Sequence, residues 1–177
     1  MKRRIAIRYM FMIAGSVILI PSCTTHSGKA SIVLHKVDIT ADEEQFLAAL
    51  AEMIIPRTDT PGAADLGCHL FVLKMLDDCY EEEVQQKFVL GLRELSSDIA
   101  KRFTHSFTQC SQEQKQQVIA DLESKKQYSA EVLGFYTLMK DRLIEGYLTS
   151  KYVLIDIQHY QLIPAVAYDG YYPVNHT

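Results

Sequence analysis

The chain is predicted to be mostly α-helical: a single helical-bundle domain followed by an ordered, tyrosine-rich, irregular C-terminal tail. Three observations point there. Val84, Phe88, Leu92, Leu95, Ile99 and Phe103 recur at steps of three and four, which is one face of a long helix. Thr40-Ala41-Asp42-Glu43 and Ser111-Gln112-Glu113-Gln114 are capping boxes, each able to satisfy two backbone N–H groups at a helix start. Pro56 and Pro61 interrupt the chain between the first two periodic segments, and two further prolines and Gly170 fall in the tail, where the helical pattern dissolves.

Each element follows in order. After Thr40, Phe46, Leu47, Leu50, Met53 and Ile54 make the apolar face of a first helix. A second helix is predicted over Asp65–Tyr80, with Leu66, Leu70, Phe71, Leu73 and Met75 inside. A third begins near Glu81–Glu83, whose negative charge suits a helix N-terminus, and runs to Phe103. Ser111 opens a short helix carrying Val118, Ile119 and Leu122. Ser129 caps the last long one, with Val132, Tyr136, Met139, Leu143 and Tyr147 as its stripe. Two short strands are also predicted, Val33–Ile39 and Val153–Ile157, from their apolar and β-branched content.

The stretch from Ile54 to Gly67 carries the most information. Pro56 lacks an N–H and pushes Ile55 away from the α region, so it ends the first helix. Pro61-Gly62 suits the central positions of a type II turn. Asp59 is expected to accept a backbone N–H, as an Asx turn or a cap. A connector this restricted serves equally as a plain helix–helix joint or as a rigid docking surface presenting Arg57, Thr58, Asp59, Thr60, Pro61 and Gly62.

Ile55-Pro56-x-Thr58-Asp59-Thr60-Pro61-Gly62-Ala63, with Gly67 following, resembles the signature of the gluconate 2-dehydrogenase subunit 3 family. A second block agrees with it: Gly146-Tyr147-x-Thr149-Ser150, Tyr160-x-x-Ile163-Pro164 and Tyr168-x-Gly170-Tyr171-x-Pro173. The resemblance covers roughly Thr40–Val174. It implies a small, non-flavin subunit of a membrane-bound, flavin-dependent sugar or polyol dehydrogenase. The implied partner is a large flavoprotein of the glucose–methanol–choline type holding FAD, often with a cytochrome c subunit holding haem c. No cofactor is expected in the small subunit itself.

The N-terminal residues suggest a compartment. Lys2, Arg3, Arg4 and Arg8 precede an apolar run from Tyr9 to Ile20, which reads as an export signal over residues 1–22. Ile20-Pro21-Ser22-Cys23 resembles a bacterial lipobox, so Cys23 is the expected lipidation site. A simple export signal and an uncleaved anchor are the alternatives. Arg3-Arg4-Ile5-Ala6-Ile7-Arg8 also looks like a twin-arginine signal, the route for proteins exported folded, and ordinary signals share such a basic pair. Residues 23–39 are then the lipidated cysteine and tether, and 40–177 the domain. The expected location is the bacterial cell envelope, membrane-anchored on the periplasmic side.

Charge narrows the partners. Residues 1–22 hold four of the 18 basic residues and none of the 22 acidic ones, which leaves 14 against 22, a net charge of −8. An acidic domain lacks the basic footprint that nucleic acid requires. It also gains little from anionic lipid, so a membrane link is expected to come from the acyl chain and from partners. The remaining 155 residues suffice for one domain with its own core.

With Cys23 set aside, Cys68, Cys79 and Cys110 remain. Cys68 and Cys79 are eleven positions apart on one predicted helix, about 16 Å along its axis, too far for a disulfide. Cys110 can pair with one of them in an oxidising compartment, or all three are buried free thiols behaving as small hydrophobes.

Motifs for chemistry are sparse. There is no Cys-x-x-Cys-His, Gly-x-Gly-x-x-Gly, P-loop or His-Glu-x-x-His. Asp77, Asp78 and Glu81–Glu83 form an acidic cluster, expected to be solvated charge at helix ends rather than a metal site. His69 is expected to be a packed or surface histidine, and His159 has no activating partner that the sequence can place. The tail concentrates Tyr147, Tyr152, Tyr160, Tyr168, Tyr171 and Tyr172 within 26 residues. Tyrosine buries a large amphipathic area and is enriched at interfaces, so some should seal the bundle and others contact a partner. Tyr147, Tyr160, Tyr168 and Tyr171 are the candidates. The resulting expectation is a non-catalytic accessory subunit. Its rivals are a stand-alone envelope lipoprotein with another partner and an independent enzyme working through the Asp59 loop.

Overall fold

The structure, a computed structural model, describes residues 28–125 and 127–160. Among these residues five α-helices carry the fold: α1 (Ala41–Ile54), α2 (Cys68–Cys79), α3 (Glu82–Phe103), α4 (Gln112–Ser124) and α5 (Ala130–Leu148). A 3₁₀ turn (Phe107–Gln109) joins α3 to α4, and a π-helical turn (Tyr152–Ile157) follows α5. Among the described residues, no helix is long and apolar enough to cross a membrane.

The caps read from the sequence form. Thr40 Oγ1 accepts the Glu43 N–H at 3.2 Å and Glu43 Oε2 accepts the Thr40 N–H at 2.8 Å. Ser111 and Gln114 repeat the arrangement at α4. Ser129 Oγ accepts the Val132 N–H at 3.2 Å and starts α5. The C-terminal end of α2 is closed from outside by Gln85, a buried residue of α3. Its amide donates to the carbonyls of Leu76 (3.0 Å), Asp77 (3.3 Å) and Tyr80 (2.9 Å), which the helix end leaves without partners.

The core lies where α3 and α2 pack on α5. Phe88 of α3 meets Phe135 of α5 edge to face, with ring centroids 4.8 Å apart. Leu92, Leu95, Val72, Leu73, Leu76, Met139 and Leu143 are fully shielded around that pair. On the far side Phe46 of α1 packs on Phe107, at 5.1 Å. Charged links tie the rim: Arg102 of α3 to Asp121 of α4 at 2.7 Å, and Tyr136 of α5 to Glu123 of α4 at 2.6 Å.

Both predicted strands are corrected. Residues 28–40 form a strap that loops out and back, its two ends joined by one isolated antiparallel bridge, Lys29 to Thr40, with no ladder. A side chain takes the N–H groups a neighbouring strand would have used. The Asp77 carboxylate, 1% exposed, accepts the backbone N–H of His35 (2.9 Å), Lys36 (2.6 Å) and Val37 (3.0 Å). Three successive N–H groups converging on one anion bend the chain into a concave nest. Val153–Ile157 lies within the π-helical turn instead. Its start is held by Ser150, whose Oγ accepts the Val153 N–H at 3.2 Å. Its wide pitch shows in the Gln158 N–H donating five residues back, to Val153 O at 2.9 Å.

The second helix begins later than predicted, at Cys68 rather than Asp65. Gly67 has φ +66°, a left-handed conformation that no helix interior holds, and it separates α2 from the tight turns at 63–67. The three cysteines are free thiols, so the disulfide alternative does not hold. Cys68 and Cys110 are buried, and Cys79 is exposed.

Candidate functional site

The loop between α1 and α2 has a buried base and an exposed tip. Gly62 and Ala63 are buried, whereas Pro56, Arg57, Thr58 and Asp59 face solvent. Ile55 ends α1 by donating its N–H to Ala51 O at 3.0 Å, and its own carbonyl accepts the Ala63 N–H at 2.9 Å. That second bond folds the chain back on itself and closes residues 56–62 into a compact Ω-like excursion.

Two carboxylates brace it. Glu52 Oε1 accepts the Arg57 N–H at 2.9 Å. Asp65 Oδ2 accepts both the Gly62 N–H at 2.9 Å and Arg57 Nε at 2.7 Å. The Gly62 amide and the Arg57 guanidinium hold the exposed Asp65 carboxyl below its ordinary pKa. Sequence alone leads one to expect Asp59 to accept a backbone N–H, as an Asx turn or cap; Asp65 accepts that of Gly62, and the Asp59 side chain accepts none of these bonds. Thr58 N–H donates to Thr60 O at 3.0 Å, which fixes the crown around Asp59.

Gly62 is required for a different reason from the one predicted. It is not in the positive-φ region that the second central position of a type II turn needs, so that turn assignment is corrected. The constraint is space. A Cβ there would sit 2.7 Å from both Arg57 N and Glu52 Oε2, and 3.0 Å from Ile55 O.

The two sequence blocks meet here. Tyr147, near the end of α5, donates its hydroxyl to the Pro61 carbonyl at 3.1 Å, across 86 positions of chain. Its neighbour Gly146 lies against the Phe71 ring of α2, where a Cβ would come within 2.6 Å of Phe71 Cδ1. The loop is thus held by the Glu52 carboxylate of α1, by the Asp65 carboxylate of the turn that precedes α2, and by Tyr147 of α5.

A model of the family described as gluconate 2-dehydrogenase subunit 3 matches residues 41–165. The chain belongs to that family. No curated relative and no solved structure matches it. Membership of the subunit 3 family implies an accessory role within a multi-subunit gluconate dehydrogenase complex. The match starts at the first residue of α1 and takes in the loop, so the braced excursion and its Tyr147 contact lie inside it.

The remaining candidates of this subunit 3 chain divide cleanly. Tyr147 is half-buried and committed to Pro61, so it supports the loop from within. Tyr160 is 55% exposed. It follows a surface where Leu148, Ile155 and Ile157 are also exposed. Tyr168, Tyr171 and Cys23 lie outside the described residues.

Several titratable groups outside the loop have partners or burial that account for them. The acidic cluster is split: Asp77 is buried in the strap's nest, Asp78 pairs with Lys74 at 3.1 Å, and Glu83 pairs with Lys87 at 2.6 Å. Asp77 is therefore not the solvated charge expected of it. Among the described residues, no group of His, Cys, Asp and Glu is arranged to hold a metal. His69 is packed, as expected. Burial lowers its pKa against the opposing pull of Glu44. His159 is exposed, in a left-handed conformation at φ 50°. Burial raises the Cys68 thiol, which keeps it in the unreactive protonated form.

Proposed function

We propose that this protein is the non-catalytic small subunit of a flavin-dependent gluconate, sugar or polyol dehydrogenase. It holds and stabilises a large flavoprotein of the glucose–methanol–choline type at the membrane. FAD and substrate oxidation belong to that partner, and haem c to a cytochrome subunit where one is present. The crown Arg57–Thr60, exposed at Arg57, Thr58 and Asp59, is the proposed docking point, with Tyr160, Tyr168 and Tyr171 as further contacts.

One observation carries the docking assignment. A solvent-facing polar tip rests on a base fixed by Glu52, Asp65 and Tyr147. A joint that only connected two helices would not need three separate braces. A preorganised loop loses little entropy on association, so its contacts are retained as affinity. Among the described residues, Asp59 at the crown has no hydrogen-bond or ion-pair partner to give up on binding.

In the same reading, residues 1–22 are an export signal, Cys23 carries lipid, and the domain sits in the cell envelope. The acidic surface leaves attachment to the acyl chain. The test is co-expression with the flavoprotein subunit, followed by purification through a tag on this chain. A stable complex whose flavin spectrum comes entirely from the large subunit supports the reading. A stoichiometric flavin on the isolated small chain overturns it.

A further inference from the structure

The strap, residues 28–40, lies upstream of the family match and outside the docking loop. It is fastened along its length. Ala41 donates to Gly28 O at 2.8 Å and Ala30 to Ile39 O at 3.1 Å. Ser31 donates its N–H and hydroxyl to the Glu44 carboxylate, at 2.5 and 2.7 Å. Asp77 holds the N–H groups of residues 35–37, and Val37 and Ile39 plug into the core. Between these fixings the strap presents Val33, which is 73% exposed, more than any other large apolar residue described. Lys29 and Lys36, both exposed, flank it.

We propose that this strap is a membrane-facing surface: Val33 rests on the bilayer, and the strap holds the domain so that the 56–62 loop points away from it. The proposal rests on the reading of Cys23 as a lipidated residue. Gly28 lies five positions after Cys23, a stretch of chain that fully extended spans no more than about 18 Å. The bilayer therefore lies close to the strap end of the bundle. An exposed aliphatic side chain between two lysines suits the boundary of acyl chains and headgroups. Asp38 and Asp42, also exposed at this end, cancel the attraction of the lysines for anionic lipid. Contact is thus driven by the acyl chain and the apolar tip.

The orientation follows from α1. The strap joins its N-terminal end, and the loop leaves its C-terminal end, 14 residues and about 21 Å away. Tyr147 places the exposed Leu148 at the loop's end as well. The surface proposed for the flavoprotein is then open to a soluble partner, while the strap occupies the membrane side.

The experiment uses full-length lipidated protein in vesicles of phosphatidylethanolamine and phosphatidylglycerol. Val33→Cys and Thr58→Cys are made separately in a Cys79→Ser background and labelled with an environment-sensitive fluorophore. The label at position 33 should shift to the blue and be quenched several-fold more by headgroup-spin-labelled lipid than the label at 58. Equal quenching, or stronger quenching at 58, on protein that mass spectrometry shows to carry lipid on Cys23 overturns the strap surface and leaves the anchor standing. Absence of lipid on Cys23 in the same spectra overturns the anchor reading, and the strap surface with it.

Discussion

Tyr147 donates its hydroxyl to the carbonyl oxygen of Pro61 at 3.1 Å, joining the end of α5 to the base of the α1–α2 loop. Both residues are partly buried, so water competes only weakly for the bond. The consequence is a loop whose shape is set by α1 and α5 together with Asp65, and not by the residues of its crown alone.

Tyr147→Phe removes that donor and leaves the ring. A neutral hydrogen bond of this kind contributes about 1 kcal/mol net. Urea denaturation should register a loss of that size with an unchanged slope. Amide exchange should accelerate at Ala63 and Arg57, whose N–H groups close the excursion. Unchanged exchange at both amides would show that the tyrosine does not hold the loop.

Gly62→Ala introduces a methyl group into a space bounded by Arg57 N, Glu52 Oε2 and Ile55 O. Two of those three atoms are backbone and cannot rotate away. The cost should be about 1–3 kcal/mol, the range for overpacking a tight site. Gly134→Ala is the control, because a Cβ there meets nothing within 4 Å. It should be neutral or slightly stabilising in thermal melts.

Asp77 makes stability depend on pH. Burial pushes its carboxyl up, but the N–H groups of His35, Lys36 and Val37, with the Lys74 ammonium, outweigh burial and hold its pKa below the ordinary 3.8. A depressed folded pKa gives stability that is complete above the unfolded value. That stability is lost as pH falls from there through the folded pKa. Asp77→Ala should remove it at every pH and leave three strap amides without their acceptor. A loss of about 3 kcal/mol at neutral pH is expected. Trypsin should then cut faster at Lys36, and the variant's stability should vary less than the parent's below pH 4.

Most of the bundle was legible because its signals are local. Thr40–Glu43, Ser111–Gln114 and Ser129 each sit within three residues of the amide they cap, and the stripe from Val84 to Phe103 has only to face one side. The strap was not legible. Its acceptor, Asp77, lies about forty positions away, and an apolar, β-branched run looks the same whether its amides meet a strand or a carboxylate. The π-helical turn failed for a related reason: periodicity does not register a widened pitch over six residues. At the candidate site, sequence located the loop and Tyr147 but not the bond between them. It also expected Asp59 to accept a backbone N–H, where Asp65 accepts that of Gly62. Both are aspartates in a turn, and only the fold places Asp65 beside Arg57 and Gly62.

Whether the crown of the loop is a docking point is tested most directly by the affinity of Asp59→Ala for the flavoprotein subunit, measured alongside its melting temperature. Asp59 is exposed and makes no hydrogen bond or ion pair among the described residues, so its removal should leave the melt unchanged. Loss of an interface hot spot costs about 2 kcal/mol or more, roughly thirtyfold in affinity. A weakening of that order with an unaltered melt is the predicted result, and Tyr171→Ala should act in the same direction. Unchanged affinity, or unfolding of the Asp59→Ala domain, would contradict the account and leave the loop as a connector between α1 and α2.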